Sequence, residues 1–160
     1  MISWVTRLLT KQLIDNYDLT RASTLAVIPV PHEETAKYGI IDPTMEIDDG
    51  IYAVRSFVEK PNAKDAPSNL AIVERYLLKP EIFEIFENQE VGRGGEAQLT
   101  DAIDTLNRTQ RVFALEFKGK CYDVGNKLGM LEANIEYGMT HPELKESLLE
   151  YLKQVIKRYW

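Results

Sequence analysis

The chain is expected to adopt an α/β or α+β fold that ends in helix, and three observations say so. Strand-like runs at Thr24–Val30, Ile51–Val58, Leu70–Leu78 and Arg111–Phe117 alternate with segments of helical spacing. Beyond Gly125 the chain reads as helix to its end, with one break near His141-Pro142. Of the 160 residues, 44% are hydrophobic and 28% charged, which is enough apolar material for one packed domain or a large piece of one.

The elements follow in order. Leu8, Leu9, Leu13, Ile14 and Tyr17 recur at helical spacing over Leu8–Leu19. Thr24–Val30, small and β-branched, reads as a buried strand closed by Pro31. His32–Gly39 is a turn or short helix ending at a glycine, and a short strand, Gly39–Ile41, comes next. Asp48-Asp49-Gly50 is a turn between Met45–Ile47 and Ile51–Val58, because Asp tolerates and Gly favours positive φ; a hairpin is expected there. Pro61–Pro67 is a polar loop, and Pro80 suits the first turn of a helix running to about Glu87. Val91–Gly95 is a glycine-rich loop; Thr100 is expected to cap a helix over Asp101–Asn107. Lys118-Gly119 turns the chain into a last strand, Cys121–Val124.

Composition narrows the function. A net charge of −6, with the basic residues scattered among acids, leaves no footprint for nucleic acid. No apolar run reaches the roughly 20 residues of a membrane span, and Met1–Leu13 lacks the core and cleavage site of a secretory signal. The one cysteine, Cys121, allows no intrachain disulfide and reads as a strand position, so a cytoplasmic location is expected.

Four constellations carry chemistry, each with a plainer reading beside it. Glu59-Lys60, in Phe57–Pro61 at a strand end, pairs a carboxylate suited to sugar hydroxyls with an ammonium suited to phosphate. Neighbours on a strand face opposite ways, so an ordinary surface pair reads equally well. Gly39, in Tyr38–Ile41, lets backbone approach a ligand closely or is a turn glycine. Gly94–Ile103 is a loop feeding a helix, without the Gly-Lys-Ser/Thr ending of a phosphate-binding P-loop. Asp123, in Tyr122–Lys127, stands at a strand end before a glycine, as a Mg²⁺ ligand or as a helix cap.

Taken together and in this order, these motifs resemble the bacterial UTP–glucose-1-phosphate uridylyltransferases. Ala66–Val73 (Ala-Pro-Ser-Asn-Leu-Ala-Ile-Val), Gly95–Ile103 and Tyr122–Lys127 match that family's wording from about Leu9 onward. The resemblance implies a partial Rossmann-like, glycosyltransferase-A-like nucleotidyltransferase fold, with a mixed sheet and flanking helices. It implies that residues 9–140 are the sugar-phosphate-binding part, with residues 1–8 an unaligned leader and 141–160 a C-terminal helix. It also implies that Gly39 and Glu59 contact glucose hydroxyls. Lys60, the candidate catalytic residue, would hold the phosphate of glucose 1-phosphate or UDP-glucose. Asp123 would be one of two carboxylates on a catalytic Mg²⁺, and Asn126 takes no role.

The family's glycine-rich nucleotide loop and first metal aspartate have no counterpart here, since no glycine occurs before Gly39. The chain is therefore expected to be inactive alone, and to expose a sheet edge and apolar strands around Leu25–Val30 and Leu70–Leu78. Together with a C-terminal stripe of Leu144, Leu148, Leu149, Leu152, Val155, Ile156 and Trp160, that surface points to a homo-oligomer, most simply a dimer. The alternatives are a non-catalytic sugar-phosphate-binding or interaction module, or a piece of another sugar nucleotidyltransferase.

Overall fold

The computed structural model describes residues 2–4 (backbone), 9–89 and 98–160. The chain divides into two compact units, Thr6–Lys118 and Met1–Val5 with Gly119–Trp160.

In the first unit, helix α1 (Leu9–Thr20) buries Leu9, Leu13 and Asn16, spaced so as to lie on one face. Strand β2 (Ser23–Pro29) follows; its first five residues are all buried, which explains why its sequence is a continuous run rather than an alternation. A short 3₁₀ helix, His32–Lys37, then leads into β3 (Gly39–Asp48). Where the sequence suggests two short pieces, β3 is one ten-residue strand that keeps its course by bulging at Pro43, which has no N–H to offer the ladder. β4 (Ile51–Glu59) returns antiparallel, with Asp48 opposite Ile51 and Gly50 at φ +71°. The expected hairpin is there, and its turn uses the one residue type that adopts that φ at no steric cost.

β5 (Leu70–Leu77), α2 (Glu81–Glu87), α3 (Leu99–Thr109) and β6 (Val112–Glu116) complete the unit. The five strands close into a barrel in the order β2-β5-β3-β4-β6, with β2 antiparallel to β5 and parallel to β6. This closure overturns the expectation of an unpaired sheet edge with exposed apolar strands around Leu25–Val30 and Leu70–Leu78. β2 has a neighbour on each side, and Leu25, Ala26, Val27 and Ala71 have no exposed surface. Helix α3 presents Ala102, Ile103 and Leu106, all fully buried, to a core that includes Leu25, Ile41, Phe57 and Val112. Polar bonds fix its register on β4: the Phe57 N–H donates to Asp104 (3.1 Å) and Asn107 donates to the Val54 carbonyl (3.0 Å).

In the second unit, β1 (Ile2–Trp4) pairs antiparallel with β7 (Lys120–Tyr122), Ile2 opposite Tyr122. Helices α4 (Lys127–Thr140) and α5 (Lys145–Tyr159) follow, broken at His141-Pro142 as expected. They pack closely where Gly138 faces Leu148, since a Cβ on Gly138 would lie 2.5 Å from Leu148 Cδ2. Among the described residues, no helix is long and apolar enough to cross a membrane.

Candidate active site

Antiparallel pairing of β3 and β4 places Gly39, the first residue of one strand, opposite Glu59, the last of the other. Lys60 follows with φ +43°, and its N–H still donates to the Tyr38 carbonyl (3.1 Å). That left-handed turn brings the Lys60 ammonium 3.8 Å from Glu59 Oε1, although strand neighbours should face apart. The Lys60 side chain is 63% exposed, so the contact adds little to stability and leaves the ammonium accessible. Gly39, Glu59 and Lys60 all line a cleft of about 460 Å³.

The cleft's other walls come from β5 and the start of α3. Thr100 is the second residue of α3 rather than its cap; Gln98 holds the cap position and makes no side-chain capping bond. The Thr100 hydroxyl is directed instead at the cleft, donating to Glu59 Oε2 at 2.7 Å. A hydrogen bond to an ionised carboxylate is among the stronger kinds, and this one fixes the Glu59 rotamer. Gly39 leaves room for the arrangement. A Cβ there would stand 3.1 Å from Glu59 Oε2, 3.1 Å from Ile72 Cδ1 and 3.3 Å from Thr100 Oγ1.

Glu74 and Tyr76 of β5 also line the cleft. Neither stands out in sequence; the signal available was only that Ile72, Glu74 and Tyr76 recur at strand spacing on one face. Burial pushes the Tyr76 phenol up to about 12, with the carboxylates of Glu74 and Glu59 adding to the effect and Arg75 opposing it. Of the Gly94–Ile103 motif, Gln98–Ile103 are placed as above, whereas residues 94–97 lie outside the described residues.

Asp123 belongs to the other compact unit and is exposed. Its Oδ1 accepts from the Gly125 N–H (3.0 Å), an Asx turn. The cap of α4 is Asn126, whose Oδ1 accepts from the N–H groups of Leu128 (2.8 Å) and Gly129 (3.4 Å). The plain alternative for Asp123, a helix cap, is therefore taken by a residue that sequence reading left without a role. Gly129 leaves room for the close approach of the Asp123 backbone, since a Cβ there would meet the Asp123 carbonyl oxygen at 2.3 Å. Among the described residues no three His, Cys, Asp or Glu side chains gather round one point. Asp123 offers one exposed carboxylate, an oxygen donor of the kind Mg²⁺ takes.

Residues 5–139 match the nucleotidyl transferase family, and the chain belongs to it. Within that family it is similar to the UTP–glucose-1-phosphate uridylyltransferase of Streptococcus pneumoniae, 60% identical over 149 residues that cover 93% of this chain and 50% of that one. A second such enzyme, from Streptococcus pyogenes, is 58% identical over the same length and the same shares. A crystal structure of UDP-glucose pyrophosphorylase complexed with UDP-glucose superposes with a TM-score of 0.80 at 40% identity, covering 88% of this chain and 53% of that one. A UTP-bound enzyme from Acinetobacter baumannii gives a TM-score of 0.78 at 37% identity, covering 93% and 50%. The chain spans about half the length of the relatives it matches.

Proposed function

We propose that these residues form the sugar-phosphate side of a UTP–glucose-1-phosphate uridylyltransferase, binding glucose 1-phosphate or UDP-glucose. The observation that carries the proposal is the convergence of Gly39, Glu59, Lys60 and Thr100 on one cleft. In the reaction, a phosphate oxygen of glucose 1-phosphate attacks the α-phosphorus of UTP. A new P–O bond forms as the bond to pyrophosphate breaks. The nucleophile is already anionic, so the site's task is to position it and to balance charge.

Lys60 supplies the positive charge to the sugar phosphate, and the carboxylate of Glu59, oriented by Thr100, accepts from sugar hydroxyls. The Gly39 backbone, beside Glu59, contacts the sugar hydroxyls. Asp123 would give one oxygen to Mg²⁺, which when bound neutralises phosphate charge. With no glycine before Gly39, these 160 residues by themselves are not expected to make UDP-glucose.

Calorimetry with glucose 1-phosphate tests the proposal. Millimolar binding that weakens about tenfold or more in Lys60→Ala is expected, the loss of a charge-assisted contact. No binding at millimolar ligand, or an unaltered Lys60→Ala, would remove the proposal's basis. The same preparation mixed with UTP, Mg²⁺ and glucose 1-phosphate should release no pyrophosphate.

A further inference from the structure

Strand β5 carries a conformational anomaly at the cleft. Between the pairs Val27–Ile72 and Leu25–Tyr76, β2 advances two residues while β5 advances four, so β5 holds a two-residue bulge. Within it Glu74 adopts φ +54°. Glycine takes that conformation freely, whereas a residue with a Cβ is strained there. Such strain persists where the surroundings impose it and clusters at ligand sites. Here the strained residue lines the same cleft as Glu59 and Lys60.

Among the described residues, Glu59 and Glu74 bring carboxylates to the cleft. Glu59 takes the Thr100 hydroxyl on one oxygen and faces Lys60 with the other. The Glu74 side chain is exposed and lines the cleft. It lies near enough to Tyr76 to help hold that phenol protonated. An exposed carboxylate attracts hydroxyl donors and repels phosphate.

We infer that Glu74 is a specificity-determining residue of this cleft: it accepts hydrogen bonds from ligand hydroxyls and turns the phosphate end of the ligand away, towards the lysines of the same cleft, Lys60 and Lys37. The inference rests on the sugar-phosphate reading above. The bulge and the strained backbone are the means by which β5 presents this carboxylate.

Glu74→Gly removes the carboxylate and relaxes the backbone together, and Glu74→Gln, which keeps the backbone conformation, separates the two effects. Its affinity for glucose 1-phosphate is expected to fall about tenfold, the loss of a hydrogen bond to a charged group. Its thermal midpoint is expected to rise by about 2–4 °C. Inorganic phosphate, which has no sugar hydroxyls, should bind the variant as well as or better than the parent. Glu74→Gln should lose part of the sugar-phosphate affinity with no rise in midpoint. If Glu74→Gly binds glucose 1-phosphate as the parent does while Lys60→Ala is weakened, the inference fails and the sugar-phosphate reading stands. If the parent binds no glucose 1-phosphate, both fail.

Discussion

The two units of the chain differ in how they use their apolar residues. The barrel unit places Leu25, Val27, Ile41, Ile103, Leu106 and Ala114 at or near zero exposure, around strands that all have two neighbours. In the second unit, α5 buries no residue, and Leu128, Met130, Leu131, Tyr137, Tyr151, Ile156 and Trp160 stay exposed. Gly39, Glu59, Lys60 and Thr100 stand on the first kind of scaffold, and Asp123 on the second. A closed core holds side chains to a fixed geometry because any shift opens a void or a clash. A unit with open apolar faces has less to hold it, and more to gain from a partner.

The sharpest way to break this comparison is to cut into the barrel. Ile103→Ala, at a fully buried position, is expected to lose about 2–5 kcal/mol of stability in denaturant melts. A loss below about 1 kcal/mol would show the core to be loosely packed.

Thr100→Val keeps the shape and removes the donor to Glu59. A stability loss of about 1–2 kcal/mol is expected, together with weaker glucose 1-phosphate binding as Glu59 is released from its rotamer. Unaltered affinity would show that Glu59 needs no such orientation.

Tyr76 gives the comparison a pH axis. Burial favours its neutral form, so the folded chain keeps the phenolic proton at pH values where the unfolded chain has lost it. Stability contributed this way is complete below about pH 10 and is lost as pH rises towards about 12. The expected signature is a fall in unfolding free energy over that window that is smaller in Tyr76→Phe, with an ultraviolet phenolate titration displaced upward to match; Tyr52, also raised, supplies part of the remainder.

The smallest effect on stability is expected in α5. Ile156→Ser, at a position 61% exposed, should alter the stability of a single chain by no more than about 0.5 kcal/mol. If the open face of α5 pairs with a second copy, the parent should sediment as a dimer at micromolar concentration and Ile156→Ser more nearly as a monomer. A parent sedimenting as one 18.3 kDa species would end the self-association reading.

What was readable in the chain itself was local. The buried run of β2, the Asp49-Gly50 turn, the break at His141-Pro142 and the helix over Asp101–Asn107 all depend on residues a few positions apart, where periodicity and turn chemistry act. The ordered motifs were enough to suggest the family, and Gly39, Glu59 and Lys60 as a site. The tertiary structure alone decided the rest. Barrel closure removed the expected open edge, because whether β2 finds β6 as well as β5 depends on strands far apart in sequence. Thr100 read as a cap because its partner, Glu59, lies 41 residues away; a hydroxyl near a helix start serves whichever acceptor or donor packing brings to it. Glu74 read as an ordinary strand residue, since a left-handed φ at a residue other than glycine is imposed by the register of neighbouring strands and leaves no mark in composition.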